Sequence, residues 1–199
     1  MLVADRSDSQ RPNTQLSGSE GSEASPLGFL KATYAAARNK YKPVSIEILW
    51  IAESPPSSQG FFYFERTIGK DHLFRETMKA IGVWPENRKM SRDLDKRPYL
   101  MQFQSRGYFL IDTCETPVDK LDYTRRVTAV LQGARRIVNK VEMLRPRRIL
   151  ILKVNVFKAV KSELEKAGLS GRLLNSEPIP FPSHGWQLKY RTKVKQLIG

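Results

Sequence analysis

The chain has 199 residues, 40% of them hydrophobic and 27% charged, a balance that builds a core and excludes a wholly disordered polymer. Its lone Cys114 excludes an internal disulfide and an iron–sulfur cluster held by four cysteines of this chain, and with only His72 and His184 beside it no metal site is expected. The formal net charge is +14, and it is uneven: from Lys120 onward 18 Lys/Arg stand against 5 Asp/Glu, a net of +13. Clustering of this kind is the electrostatic footprint of a phosphate-backbone binder, whereas charge scattered for solubility needs no clustering. No apolar run approaches the roughly 20 residues that span a bilayer, so no membrane partner is expected. The polar start MLVADRSDSQ lacks the layout of a secretory signal, and a cytoplasmic location is expected.

Residues 1–26 are rich in Ser, Gly, Asp, Glu, Gln and Pro and hold almost no large apolar side chains, so they are expected to form a disordered tail. Residues 27–199 then make one domain. Leu27–Asn39 is Ala-rich and sets Leu27, Leu30, Tyr34 and Ala37 on one helical face. Ile46–Ala52 is continuously apolar, as a parallel strand covered on both faces tends to be. Asp71 is placed to cap an amphipathic helix over His72–Ile81. Trp84–Phe103 is charged and punctuated by prolines, and its pattern assigns no element.

Tyr108–Ile111 reads as a second strand. Thr124–Leu144 reads as a long helix with Val127, Val130, Leu131, Ala134, Ile137, Val138 and Val141 in one stripe. Its other face carries Arg125, Arg126, Arg135, Arg136 and Lys140, and Pro146 ends it. Arg148–Leu152 is a third strand, Val156–Ala167 a helix stopped by Gly168, Leu173–Ile179 a fourth strand, and Gln187–Ile198 a basic closing helix. Strands alternating with helices predict an α/β fold on a mainly parallel four-stranded sheet, and no internal repeat is present.

Three segments carry chemistry. After the first strand comes Glu53-Ser54-Pro55-Pro56, a carboxylate on a proline-stiffened turn, then Gly60 and the aromatics Phe61, Phe62, Tyr63 and Phe64, whose flat faces suit a nucleobase. The alternative is that Glu53 organises a turn and the aromatics belong to the core. After the second strand come Asp112 and Thr113. An ionised Asp only accepts hydrogen bonds, which suits an amino group on a base, and a protonated Asp in a desolvated pocket donates as well. Equally, Asp112 serves to bond turn backbone. Near the C-terminus stand Phe181-Pro182-Ser183-His184-Gly185 and Trp186, followed by Lys189, Arg191 and Lys193, where phosphates can dock.

The order of these segments resembles the uracil-DNA glycosylase superfamily. Ala52-Glu53-Ser54-Pro55-Pro56 is similar to the family's Gly-Glu-Ala-Pro-Gly motif, with Ala52, Ser54 and Pro56 as departures. Asp112 falls where an Asn commonly reads the uracil edge, and Pro182-Ser183 matches the end of the family's His-Pro-Ser. Phe181 stands at that His, and Lys153 replaces a Gly usual after the third strand.

The resemblance implies a three-layer α/β sandwich acting on DNA as a monomer, without cofactor. It implies a base flipped among Phe61, Phe62 and Phe64 and read by Asp112 and Thr113. Glu53 would then stabilise the sugar cation or orient water, and His184 would stand in for the missing imidazole unless it is a surface turn residue. Pro182, Ser183, Trp186, Lys189, Arg191 and Lys193 would contact the strand. Because Phe181 supplies no hydrogen bond to a departing base, the rival expectation is nucleic-acid binding without excision. A small-molecule nucleoside binder on the same fold is a third, which the charge opposes.

Overall fold

The computed structural model describes residues 26–58, 60–68, 71–91 and 93–199, so the expected disordered tail lies, apart from Pro26, outside the described residues. Among the described residues five strands and six α-helices follow in chain order: α1 (Pro26–Asn39), β1 (Ile48–Ala52), β2 (Arg66–Ile68), α2 (His72–Ala80), β3 (Asp93–Asp95), α3 (Arg97–Ser105), β4 (Tyr108–Asp112), α4 (Tyr123–Leu144), β5 (Arg148–Ile151), α5 (Val154–Lys166) and α6 (Gln187–Ile198). Asp71 caps α2, accepting from the Phe74 backbone N–H at 3.0 Å, and Asp122 caps α4 in the same way through Arg125 at 2.9 Å.

β1 is the centre of a parallel sheet ordered β4-β1-β5, with Ala52 opposite Asp112 and Ile51 opposite Ile151. All five β1 residues are buried, and because successive side chains point to opposite faces, both faces of the sheet are covered. The helices do the covering: α4 packs on α5, and α2 packs on α6, where the Thr77 and Tyr190 hydroxyls meet at 2.7 Å. The register brings the residues after β1, β4 and β5 to one edge. The chain steps from β1 to β4 on one side and returns across β1 to β5 on the other, so the winding reverses between β1 and β5. In open α/β sheets that reversal is where ligands enter.

The fourth strand expected over Leu173–Ile179 is reduced to two isolated parallel bridges, Ile149 with Leu173 and Leu152 with Ile179. Between them the Asn175 side chain takes over: Oδ1 accepts from the Ile151 N–H and Nδ2 donates to the Ile151 carbonyl, each at 3.0 Å. A side-chain amide thus supplies the pairing that a strand backbone would have made. β2 pairs antiparallel with β3 among the described residues, and β3 and α3 fall in or beside the stretch whose pattern assigned no element. Its anchor is Lys96, buried among hydrophobic neighbours, with Nζ 2.7 Å from Asp71 Oδ2, 2.8 Å from the Phe61 carbonyl and 4.4 Å from the Phe74 ring centre. Among the described residues no helix is long and apolar enough to cross a membrane.

Candidate functional site at the strand ends

Glu53 leaves β1 into this edge with only 8% of its surface exposed. Its Oε1 accepts from Arg126 Nε at 2.9 Å and Asn155 Nδ2 at 2.6 Å, and its Oε2 from Arg126 Nη2 and from Lys153 Nζ at 2.6 Å. Burial pushes the Glu53 carboxyl up, but the bonds from Arg126, Lys153 and Asn155 outweigh it and hold the group below the usual carboxylate range. Four donors fill the acceptor capacity of a carboxylate. Glu53 is therefore a charged anchor with all its acceptor sites taken, and none is left here for the water it was expected to orient. One carboxylate faces two cations, so the cluster is net positive.

Lys153 and Asn155 reach Glu53 because α5 starts immediately after β5. Lys153 sits at φ 71° and ψ 140°, its N–H donating to the Ile179 carbonyl at 2.8 Å. A side chain in this region costs about 1–3 kcal/mol, which glycine would avoid. Burial lowers the Lys153 pKa; the bond to Glu53 opposes that shift, and the like charge of Arg126 adds to it. Asn155 Oδ1, on the same turn, is buried without a partner among the described residues.

Arg126 and Lys153 open onto a groove of about 1090 Å³ between α4, α5 and the Phe181–Trp186 turn. Val127, Val130, Ala134 and Ala159 make its floor; Arg135, Lys158 and Lys189 stand around it without an ion pair among the described residues. Glu163 is the one carboxylate on the groove lining as described, and Lys166 pairs with it at 2.6 Å. Three aromatics are open to solvent here: Tyr123 at 82%, Phe181 at 38% and Trp186 at 50%. Trp186 carries Lys189 Nζ 5.0 Å from its ring centre. The turn is held by Ser183 N–H donating to the Phe181 carbonyl at 2.8 Å and Trp186 N–H to the Ser183 carbonyl at 3.1 Å. His184 is exposed at φ 51°, its Nδ1 2.9 Å from Ser183 Oγ, while Pro182 is buried.

The expected base-binding residues lie elsewhere. Phe61 and Phe62 are core, 1% and 3% exposed, and Tyr63 right after them explains why. The Tyr63 hydroxyl accepts from Leu110 N–H at 2.7 Å and donates to its carbonyl at 3.2 Å, closing the free edge of β4. Phe64 stacks on Tyr34 of α1 at 5.7 Å. Asp112 is buried against Arg38 of α1, Nη2 to Oδ2 at 2.7 Å; burial raises its carboxyl while Arg38 pulls it back. Thr113 Oγ1 donates to the Ala52 carbonyl at 2.7 Å. None of these five lines the groove.

Of the expected strand contacts, Ser183, Trp186, Lys189 and Lys193 line it, with Lys193 paired to Glu177 at 3.0 Å, and Pro182 does not; His184, expected as the stand-in imidazole, lines it too. Arg191 points away and is neutralised by Glu76 and Glu86. The residues that sequence reasoning passed over are Arg38, Arg126 as a partner of Glu53, and Asn155. The one signal was a lysine where a glycine fits the turn. No protein-family model matches the chain, and no curated protein matches it.

Proposed function

We propose that this chain is a DNA-binding protein, on a fold of the uracil-DNA glycosylase kind, that holds a strand in the groove between α4 and α5. The observation that carries this reading is the composition of that groove: unpaired cations around an apolar floor, with exposed aromatic rings beside them. Cations meet phosphates, and a solvent-facing ring stacks on a base whatever its identity. The test is binding of labelled single-stranded and duplex oligonucleotides across a salt series. The expected result is an affinity that falls linearly with salt on logarithmic axes. Affinity indifferent to salt sinks the reading.

Base excision is the second reading, favoured by one observation. Glu53 bonds Arg126 and Lys153, which line the same groove as Ser183 and His184, so a carboxylate stands one side chain behind that lining. It requires Glu53 to free an acceptor site when substrate binds. Oligonucleotides carrying uracil, hypoxanthine, xanthine, mismatched thymine or modified cytosine, treated with alkali after incubation, separate the two. Cleaved products establish excision; binding without products leaves the first reading alone.

A further inference from the structure

We propose that Lys153 Nζ is a nucleophile toward the aldehyde of a ring-opened abasic sugar in a DNA strand lying in the groove, an inference that rests on the DNA-binding reading. Backbone, position and electrostatics each point to it. Lys153 holds a backbone conformation that glycine adopts freely and a lysine adopts under strain. A glycine would close β5 and open α5 without that strain, so the side chain is what the position gains. By position, Lys153 follows β5 where the winding reverses, and it lines the groove alongside Phe181 and His184. The amine is also held 2.6 Å from the Glu53 carboxylate, which fixes its position at the groove, while burial and the neighbouring Arg126 disfavour its ammonium form against the opposing pull of Glu53.

The chemistry balances without an oxidant, reductant or metal. Lys153 gives up a proton to water in the groove, and the neutral amine attacks C1′. The N–C1′ bond forms as the carbonyl π bond breaks, giving a carbinolamine. Its hydroxyl takes that proton back from the water and leaves as water, which produces an iminium. Loss of the C2′ proton to water gives an enamine, which breaks the C3′–O bond and expels the 3′ phosphate with its electron pair. Hydrolysis of the remaining iminium returns Lys153 protonated.

The experiment incubates the full chain with an oligonucleotide bearing one abasic site, single-stranded and duplex, with cyanoborohydride present. Binding of the same oligonucleotides is measured in parallel without reductant. The expected result is a reduced protein–DNA adduct whose mass maps to the peptide containing Lys153. Lys153→Arg keeps the charge and the Glu53 pairing but has no nucleophilic amine, and it should lose the adduct. Lys153→Gly relieves the backbone strain and should lose the adduct while melting cooperatively, which separates chemistry from misfolding. DNA binding without an adduct, or an adduct mapped to another lysine, overturns the role of Lys153 and leaves the DNA-binding reading standing. Absence of any binding at low salt overturns that reading, and this inference with it.

Discussion

At the scale of single residues, the two carboxylates that end β1 and β4 are each held by cations from other elements, Glu53 by Arg126 and Lys153, Asp112 by Arg38. Removing one member of such a pair leaves the other charge partly desolvated. Glu53→Gln should destabilise the protein by about 2–3 kcal/mol, less than the 3–5 usual for a wholly buried pair because Arg126 and Lys153 keep some contact with water. Arg38→Ala strands a fully buried Asp112 and should reach about 3–5 kcal/mol. Urea unfolding at neutral pH measures both, and a smaller loss for Arg38→Ala than for Glu53→Gln contradicts the burial argument. A loss of activity in Glu53→Gln must therefore be judged against the stability of the variant.

At the scale of elements, α4 is pressed onto the end of β4. A Cβ built on Gly133 would lie 2.4 Å from the Thr113 carbonyl oxygen, backbone against backbone, with no flexible side chain to yield. Gly133→Ala should cost about 1–3 kcal/mol or more through overpacking, despite the better helix propensity of alanine. An unchanged melting temperature would mean that α4 slides on the sheet.

Glu115 ties α1 to α4 through Lys31 and through Lys140 at 3.0 Å. The bond from Lys31 chiefly, with that from Lys140, holds its carboxyl down to about 2 against the opposing effect of burial. A depressed carboxyl stabilises the fold above its unfolded value near 4.5 and loses that contribution as pH falls toward about 2. The parent should lose stability across that window, and Glu115→Gln should lose less, as followed by denaturant midpoints at successive pH values.

At the scale of the whole molecule, the charge excess matters through where the fold collects it. Ion pairs absorb Arg191, Lys193 and Arg126, whereas Arg135, Lys158 and Lys189 remain around the groove. Changing those three together to Ala should flatten the salt dependence of single-strand binding by about 2 logarithmic units per decade, at about 0.7 per phosphate contact. Changing Arg191 should leave the slope as it was. An equal effect from Arg191 would move the interface to the α2–α6 side.

Local pattern alone marks β1, β4, β5, α1, α2, α4, α5 and α6, because each is an apolar run or stripe with its own cap or stop, such as Asp71 or Pro146. The basic C-terminal half is equally plain in composition. What no local pattern carries is which charge meets which. β2, β3 and α3 depend on a buried Lys96, and the missing fourth strand on one Asn175 amide that imitates backbone. The FFYF run offers the same flat faces to a base or to a core; the free edge of β4 bonding Tyr63 decides for the core. The site follows the same logic. Glu53, Arg126 and Lys153 are far apart in the chain, and only the parallel register and the packing of α4 on α5 bring them to one edge, because long-range electrostatic pairing has no sequence period.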